Sequence, residues 1–171
     1  GVFTVSCAGG ARANICLALD TAPCSLPTAV VELTGLTGGH SGTEIDKGRA
    51  NAAILLGRVL DAASSLSLRL VSAESGQKDN AIPSSARAVL AAEPPQFAAL
   101  QALVSELEAA FRAEHAVSDP ALALTICRGT AANAALTEAS TAKVAAFLAL
   151  IPNGIAAMSV DLPGLVQTSC N

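Results

Sequence analysis

The sequence predicts an α/β (α+β) fold: a ferredoxin-like βαββαβ two-layer sandwich, with an N-terminal β-hairpin before it and a C-terminal helical extension after it. Three observations carry that prediction. Between residues 29 and 127, β-prone and helix-prone segments follow one another as strand, helix, strand, strand, helix, strand. The two helical segments carry apolar residues at steps of three and four. Apolar residues make up 51% of the 171 positions and charged ones 14%, enough to bury a core and too apolar for intrinsic disorder.

Val2 to Cys7 and Asn14 to Leu19 are β-prone and flank Ala8-Gly9-Gly10-Ala11, the pattern of a hairpin or a pair of edge strands. A connector punctuated by Pro23 and Pro27 leads into a strand over Ala29–Leu36. After Gly38-Gly39, Ser41 and Glu44 fit the S-x-x-E capping box, so a helix is expected to start there. Ile45, Ala52, Leu56, Val59, Leu60 and Ala63 would form its buried stripe. Leu66–Ala73 alternates like a half-buried strand, the polar loop Glu74–Asn80 and Pro83 follow, and Ala86–Ala91 is the next strand. Pro94-Pro95 opens the second helix, with Phe97, Leu100, Val104, Leu107 and Phe111 facing the core. Ala121–Cys127 completes the set of core strands. Thr137–Leu150 reads as a further helix burying Val144, Phe147 and Leu148, stopped by Pro152-Asn153-Gly154, and Leu165–Thr168 as a closing strand or extended tail. The organisation is therefore a single domain, residues 1–171, with N-terminal strands (1–28), a core (29–127) and a C-terminal extension (128–171).

Composition excludes several functions. Lys plus Arg number 10 and Asp plus Glu 14, a net charge of −4, so the basic footprint of a nucleic-acid binder is missing. The aromatic residues are four Phe, which leaves no base-stacking platform. The longest apolar run, Val144 to Ile151, is far short of the ~18–20 residues that span a bilayer, so no membrane partner is expected. Five cysteines, an odd number without a C-x-x-C pair, read as reduced thiols of a cytoplasmic protein. No basic segment followed by an apolar stretch marks a signal peptide. The chain opens at Gly1 without Met and closes just after a strand-like run, and it reads as a segment cut from something longer.

The side chains permit little self-contained chemistry. A hydrolytic zinc site needs several converging His, Asp, Glu or Cys ligands; this chain has two histidines, His40 and His115, and neither H-x-x-x-H nor H-x-D, so no metal ligand is assigned. His115 ends a predicted helix, where a basic side chain suits the dipole. Gly39-His40-Ser41-Gly42-Thr43 resembles a nucleophile elbow with Thr43 in place of the last glycine, and Ser41 is better explained as a helix cap. His40 follows two glycines and precedes the expected helix N-terminus, where an imidazole can donate to a carboxylate or a developing oxyanion; a structural loop histidine is the other reading. Gly76-Gln77-Lys78-Asp79-Asn80 is either a solvated turn or part of a site.

The run Gly38-Gly39-His40-Ser41-Gly42-Thr43-Glu44-Ile45-Asp46-Lys47-Gly48-Arg49-Ala50-Asn51-Ala52 resembles the lid domain of the aminoacyl-histidine (Xaa-His) dipeptidases, cytosolic members of the co-catalytic zinc aminopeptidase and aminoacylase clan. Cys7-Ala8-Gly9-Gly10, Asn80-Ala81-Ile82-Pro83, Pro152-Asn153-Gly154-Ile155 with Met158-Ser159, and Gly164-Leu165-Val166 with Thr168-Ser169-Cys170-Asn171 agree in order and spacing, so the resemblance covers nearly the whole chain. One departure is Ser84-Ser85, where the family pattern continues with Arg-Glu.

The resemblance implies a lid and dimerisation domain whose parent enzyme carries two zinc ions and a Glu general base in a catalytic domain outside this segment. The lid would form a homodimer and close over a dipeptide substrate. His40 would stabilise the tetrahedral intermediate in the partner subunit, Asn80 would lie near the substrate, and Gly38, Gly39, Ser41, Gly42 and Glu44 would form the supporting loop and cap. The segment alone is expected to hold no cofactor and to be inactive. The competing expectations are a free-standing ferredoxin-like module that binds a ligand or protein, and a structural domain in which His40 only packs a loop.

Overall fold

The computed structural model describes residues 9–171. The elements are β1 (Thr21–Pro23), β2 (Thr28–Thr34), β3 (Gly39–His40), α1 (Ala52–Ala62), β4 (Arg69–Ser75), β5 (Ala81–Ile82), β6 (Ala86–Ala91), α2 (Pro94–Glu114), β7 (Ala123–Gly129), β8 (Ala134–Leu136), α3 (Glu138–Leu150), β9 (Gly154–Met158) and β10 (Val166–Cys170). Four strands form an antiparallel sheet in the order β4-β6-β2-β7, the ferredoxin-like arrangement predicted for residues 29–127. Alternate residues of a strand share a face, so Ala29, Val31 and Leu33 of β2 all enter one layer and are fully buried. Val31 stands opposite Ala88 of β6 and Ile126 of β7. Leu55, Leu56, Val59 and Leu60 of α1 and Phe97, Leu100, Val104 and Phe111 of α2 close over them as one core; Leu107 is half-buried against it.

α2 begins as its sequence predicts. Pro94 occupies the first turn, and the Gln96 side chain accepts from the Glu93 N–H at 2.8 Å, half of a capping box. α1 does not. Gly48, at a left-handed φ of +64°, ends a single 3₁₀ turn over Ile45–Lys47, and the helix starts only at Ala52. Its cap is Asn51, whose Oδ1 accepts from the N–H groups of Ala53 and Ile54 at 3.0 and 3.4 Å, so Ser41 caps no helix. Ile45 consequently leaves the buried stripe. β4 begins at Arg69, because Leu66 still belongs to a 3₁₀ turn that Ser67 closes at φ +50°.

The flanks differ more. Val2 to Cys7 lies outside the described residues. Asn14 to Leu19 forms no strand: its alternating Ile15, Leu17 and Leu19 find no partner among the described residues and stay exposed. The chain that follows forms β1, which pairs with β8, and Arg69 pins that ribbon to the sheet by donating to the carbonyls of Leu136 and Ala22, both at 2.9 Å. The helix expected over Thr137–Leu150 is α3, capped by Thr137, but Val144, Phe147 and Leu148 are only half-buried. It packs through buried Ala145 and Ser140, with Val144 and Leu148 set against the core beside them, and Gly57 of α1 makes the close approach possible: a Cβ there would lie 2.8 Å from the Leu148 Cβ. The closing tail is one arm of an antiparallel hairpin, β9 with β10, whose first arm was hidden by its run of small residues. Cys24 is buried, and Cys16, Cys127 and Cys170 are exposed; all four are free. Among the described residues, no helix is long and apolar enough to cross a membrane.

Candidate functional site

A two-residue bridge builds the site. Gly39 of β3 stands opposite Ile82 of β5, and His40 opposite Ala81. The Ser41 N–H donates to the Asn80 carbonyl at 3.0 Å, so His40 and Asn80, forty positions apart, end on neighbouring backbone. Both are exposed. The Asn171 side chain donates to the Ala81 carbonyl at 3.0 Å, and Asn51 donates to Asn153 at 2.7 Å, which ties the C-terminal hairpin to this bridge. Asn51, Asn153 and Asn171 were legible only as fragments of the motifs that carry the family resemblance.

His40 does not stand at the start of a helix, so the helix dipole contributes nothing to it. Its environment is a tight turn. The Glu44 N–H donates to the His40 carbonyl at 2.9 Å, and the Glu44 carboxylate accepts the His40 N–H at 2.9 Å. The N–H groups of Gly42 and Thr43 both donate to the His40 Nδ1, at 3.0 and 3.3 Å. A ring nitrogen that accepts carries no proton, so the neutral imidazole bears its hydrogen on Nε2 as a donor. Gly42 serves this geometry directly, since a Cβ there would lie 3.1 Å from the His40 Cε1.

Glu44, expected as a capping residue, has become half of an ion pair. Arg49 reaches it at 2.9 Å and donates with its other nitrogen to the Gly38 carbonyl at 2.5 Å. The hydrogen bond from the His40 N–H, and then that from Arg49, hold the Glu44 carboxyl below its ordinary range. Gly39 is required twice over. Its φ is +134°, and a Cβ would lie 2.7 Å from the Glu44 carboxylate and collide with the Arg49 guanidinium. Arg49 carries no sequence signal as a site residue, because a single basic residue between Gly48 and Ala50 makes no pattern.

A buried carboxylate closes the segment at its base. Asp119 accepts from the Thr37 N–H and the Ala50 N–H, both at 2.8 Å, and so fastens the two ends of residues 38–49 to the chain that follows α2. Burial alone would raise its pKa, but the bonds from Ala50 and Thr37, helped by the side chain of Ser118, outweigh that and leave it lowered. A group whose folded pKa is depressed contributes stability above its unfolded pKa and loses it as pH falls through the folded one. Asp119→Ala should therefore cost about 2–3 kcal/mol at neutral pH, because the buried Ala50 N–H and the part-buried Thr37 N–H lose a charged acceptor. In urea titrations the difference from the parent chain should shrink below about pH 4. A gap under 0.5 kcal/mol at neutral pH would refute the clamp.

Gly38, Gly39, Lys78, Ile82, Ser84 and Ser85 line a shallow cleft of about 230 Å³ beside the bridge. The Ser84 Cβ lies 3.1 Å from where a Gly38 Cβ would stand, so Ser84-Ser85 forms one wall of it. Among the described residues no group of three or more His, Cys, Asp or Glu is placed to hold a metal ion. His115 caps the C-terminal end of α2, the place expected for it.

Comparison with known proteins fits this architecture. A profile of the peptidase dimerisation domain (M20) family matches residues 31–119, just over half of the chain. The cytosol non-specific dipeptidase of Escherichia coli (strain K12) is 35% identical over 174 residues, spanning 100% of this chain and 36% of that protein. The crystal structure of aminoacylhistidine dipeptidase from Vibrio alginolyticus superposes with a TM-score of 0.82 at 31% identity, over 89% of this chain and 31% of that one. The chain thus spans about a third of the length of the dipeptidases it matches. The matched segment holds the βαββα part of the sheet-and-helix core, the His40–Asn80 bridge and the Asp119 clamp, and on that ground the chain belongs to the peptidase dimerisation domain family of the M20 peptidases.

Proposed function

We propose that this chain is the lid and dimerisation part of a cytoplasmic metallo-dipeptidase of the Xaa-His type, which closes over a dipeptide and lends His40 to the active site of the partner subunit. The observation that carries the reading is the His40 ring itself. Two backbone N–H groups occupy Nδ1, and the exposed side chain offers an Nε2–H donor. A pre-oriented donor of this kind suits the oxyanion of a tetrahedral intermediate. Asn80 is joined to the same bridge through its carbonyl, and on this reading its side chain would meet the substrate. Two zinc ions and a general base belong, on this reading, to the rest of the polypeptide. No three His, Cys, Asp or Glu converge as metal donors among the described residues; on this reading the segment's own part is to orient, cover and donate. The isolated chain should accordingly show no dipeptide hydrolysis.

Self-association has a favoured surface. The β4 edge of the sheet is backed by neighbours: the Leu70 N–H donates to Thr141 of α3 at 2.9 Å, and Arg69 engages β8. β7, at the other edge, pairs only with β2 among the described residues. Beside it, α2 presents Ala98, Ala102, Ser105, Ala109 and Ala113 to solvent at i, i+4, i+7, i+11 and i+15, directly opposite its buried face. Small side chains let a second helix approach closely, and a two-fold pairing through β7 and α2 would close without exposing a further edge. Sedimentation equilibrium should find a dimer, and Ala109→Glu should weaken it at least tenfold with the circular dichroism spectrum unchanged. A parent chain that stays monomeric at millimolar concentration would rule out this surface.

A further inference from the structure

We propose that Arg49 is a positioning residue: acting through Glu44, it holds the His40 backbone and ring in the donor orientation on which the proposed function rests. The connections run in one closed path. One nitrogen of the Arg49 guanidinium binds the Gly38 carbonyl at 2.5 Å and the other binds the Glu44 carboxylate at 2.9 Å. The second carboxylate oxygen accepts the His40 N–H at 2.9 Å. Glu44 also returns its own N–H to the His40 carbonyl at 2.9 Å, which fixes the turn whose next two N–H groups aim at Nδ1. Arg49 and Glu44 are partly shielded, with side chains 21% and 35% exposed, so the pair is an ordered one rather than a loose surface contact.

The chemistry needs arginine in particular. A planar guanidinium serves two acceptors in fixed directions at once, whereas a lysine ammonium is a point charge on a flexible stem. Without Arg49, Glu44 loses its counter-charge and one of the two bonds that orient its carboxylate, and no other side chain among the described residues takes that place. The Gly42 and Thr43 N–H groups then lose their aim at Nδ1, and the His40 proton is free to sit on either ring nitrogen. Gly39 completes the device, since any side chain there would occupy the space of the ion pair.

Nitrogen-15 spectra of the histidine rings in the isolated chain test this directly, above about pH 8, where imidazoles are neutral. In the parent chain His40 should give the shift pair of a single Nε2–H tautomer. In Arg49→Gln and in Glu44→Ala its two ring nitrogens should move toward a common averaged value, and Arg49→Lys should fall between. His115, which has its own neighbour in Ser118 at 3.5 Å, should not move in any of them. In the full-length polypeptide, Arg49→Gln should lower kcat at least tenfold with KM within twofold, and Arg49→Lys should recover part of that loss. Unchanged His40 ring shifts in a folded Arg49→Gln or Glu44→Ala chain would overturn the proposal. Unfolding of both variants would overturn it too, by making the pair a matter of stability alone. Averaged shifts combined with full activity of His40→Ala would leave the positioning intact and remove instead the functional reading of His40.

Discussion

Replacing His40 with alanine in the full-length polypeptide should lower kcat by about 10²–10³ while KM stays within a few-fold. The expectation follows from where the imidazole can act. A donor that meets an oxyanion only as it develops strengthens in the transition state, and its loss falls on the chemical step rather than on substrate binding. Folding should be unaffected, because His40 is exposed and its Nδ1 bonds can pass to water. Metal content should also be unaffected, because His40 belongs to no cluster of metal donors among the described residues. Action across a dimer adds a second measurement. A His40→Ala polypeptide mixed with one lacking its general base should recover activity, since one active site of the heterodimer then receives an intact base and the partner's intact His40. Loss of metal, loss of fold or full activity in His40→Ala would each defeat the assignment, and an inactive mixture would defeat the action in trans.

The core was legible because its signals are periodic. Phe97, Leu100, Val104 and Phe111 repeat at helical spacing and are buried together, and Ala29, Val31 and Leu33 alternate as a strand should. The start of α1 is decided by a competition that spacing cannot judge. Ser41 and Glu44 fit a capping box, but Glu44 is drawn instead to the His40 N–H and to Arg49, while Asn51 offers a cap directly before the apolar stripe. The same competition built the site: had the helix begun at Ser41, no turn would have been left to aim two N–H groups at His40. His40 and Asn80 could be chosen from residue type and resemblance. The bridge between β3 and β5 is a contact between distant positions with no periodicity, and Asp119, like Arg49 at the Gly38 carbonyl, meets backbone groups that leave no trace in side-chain pattern. The flanks failed for a related reason. Small residues in β9, and an alternation over Asn14 to Leu19 that finds no partner among the described residues, carry strand signals opposite to the structure they adopt.

Phe111→Ala should destabilise the chain by about 3–5 kcal/mol, the largest loss expected of any single truncation in it. The ring is fully buried on the last turns of α2, and the Arg58 guanidinium of α1 lies over it with Cζ 4.5 Å from the ring centre. Arg58 is itself held by two hydrogen bonds to Glu114, at 2.6 and 2.7 Å, so ring, guanidinium and carboxylate join the two helices at one point. Alanine removes the apolar area, leaves a cavity between rigid helices, and takes away the face on which the cation rests. Urea unfolding should show the loss as a lower midpoint at an unchanged slope. A cycle with Arg58→Ala should return a coupling of about 0.5–1 kcal/mol. The consequence should also reach the site. Asp119 follows directly from the end of α2, its N–H donating to the His115 carbonyl at 2.8 Å, and it clamps Thr37 and Ala50. In Phe111→Ala the amides of Thr37 and Ala50 should exchange with solvent faster by more than the sheet amides of β2 and β6 do, because the clamp is anchored on the turn the ring supports. A loss below 1 kcal/mol would show that the ring is not the joint between α1 and α2, and uniform exchange across sheet and clamp would separate the clamp from it.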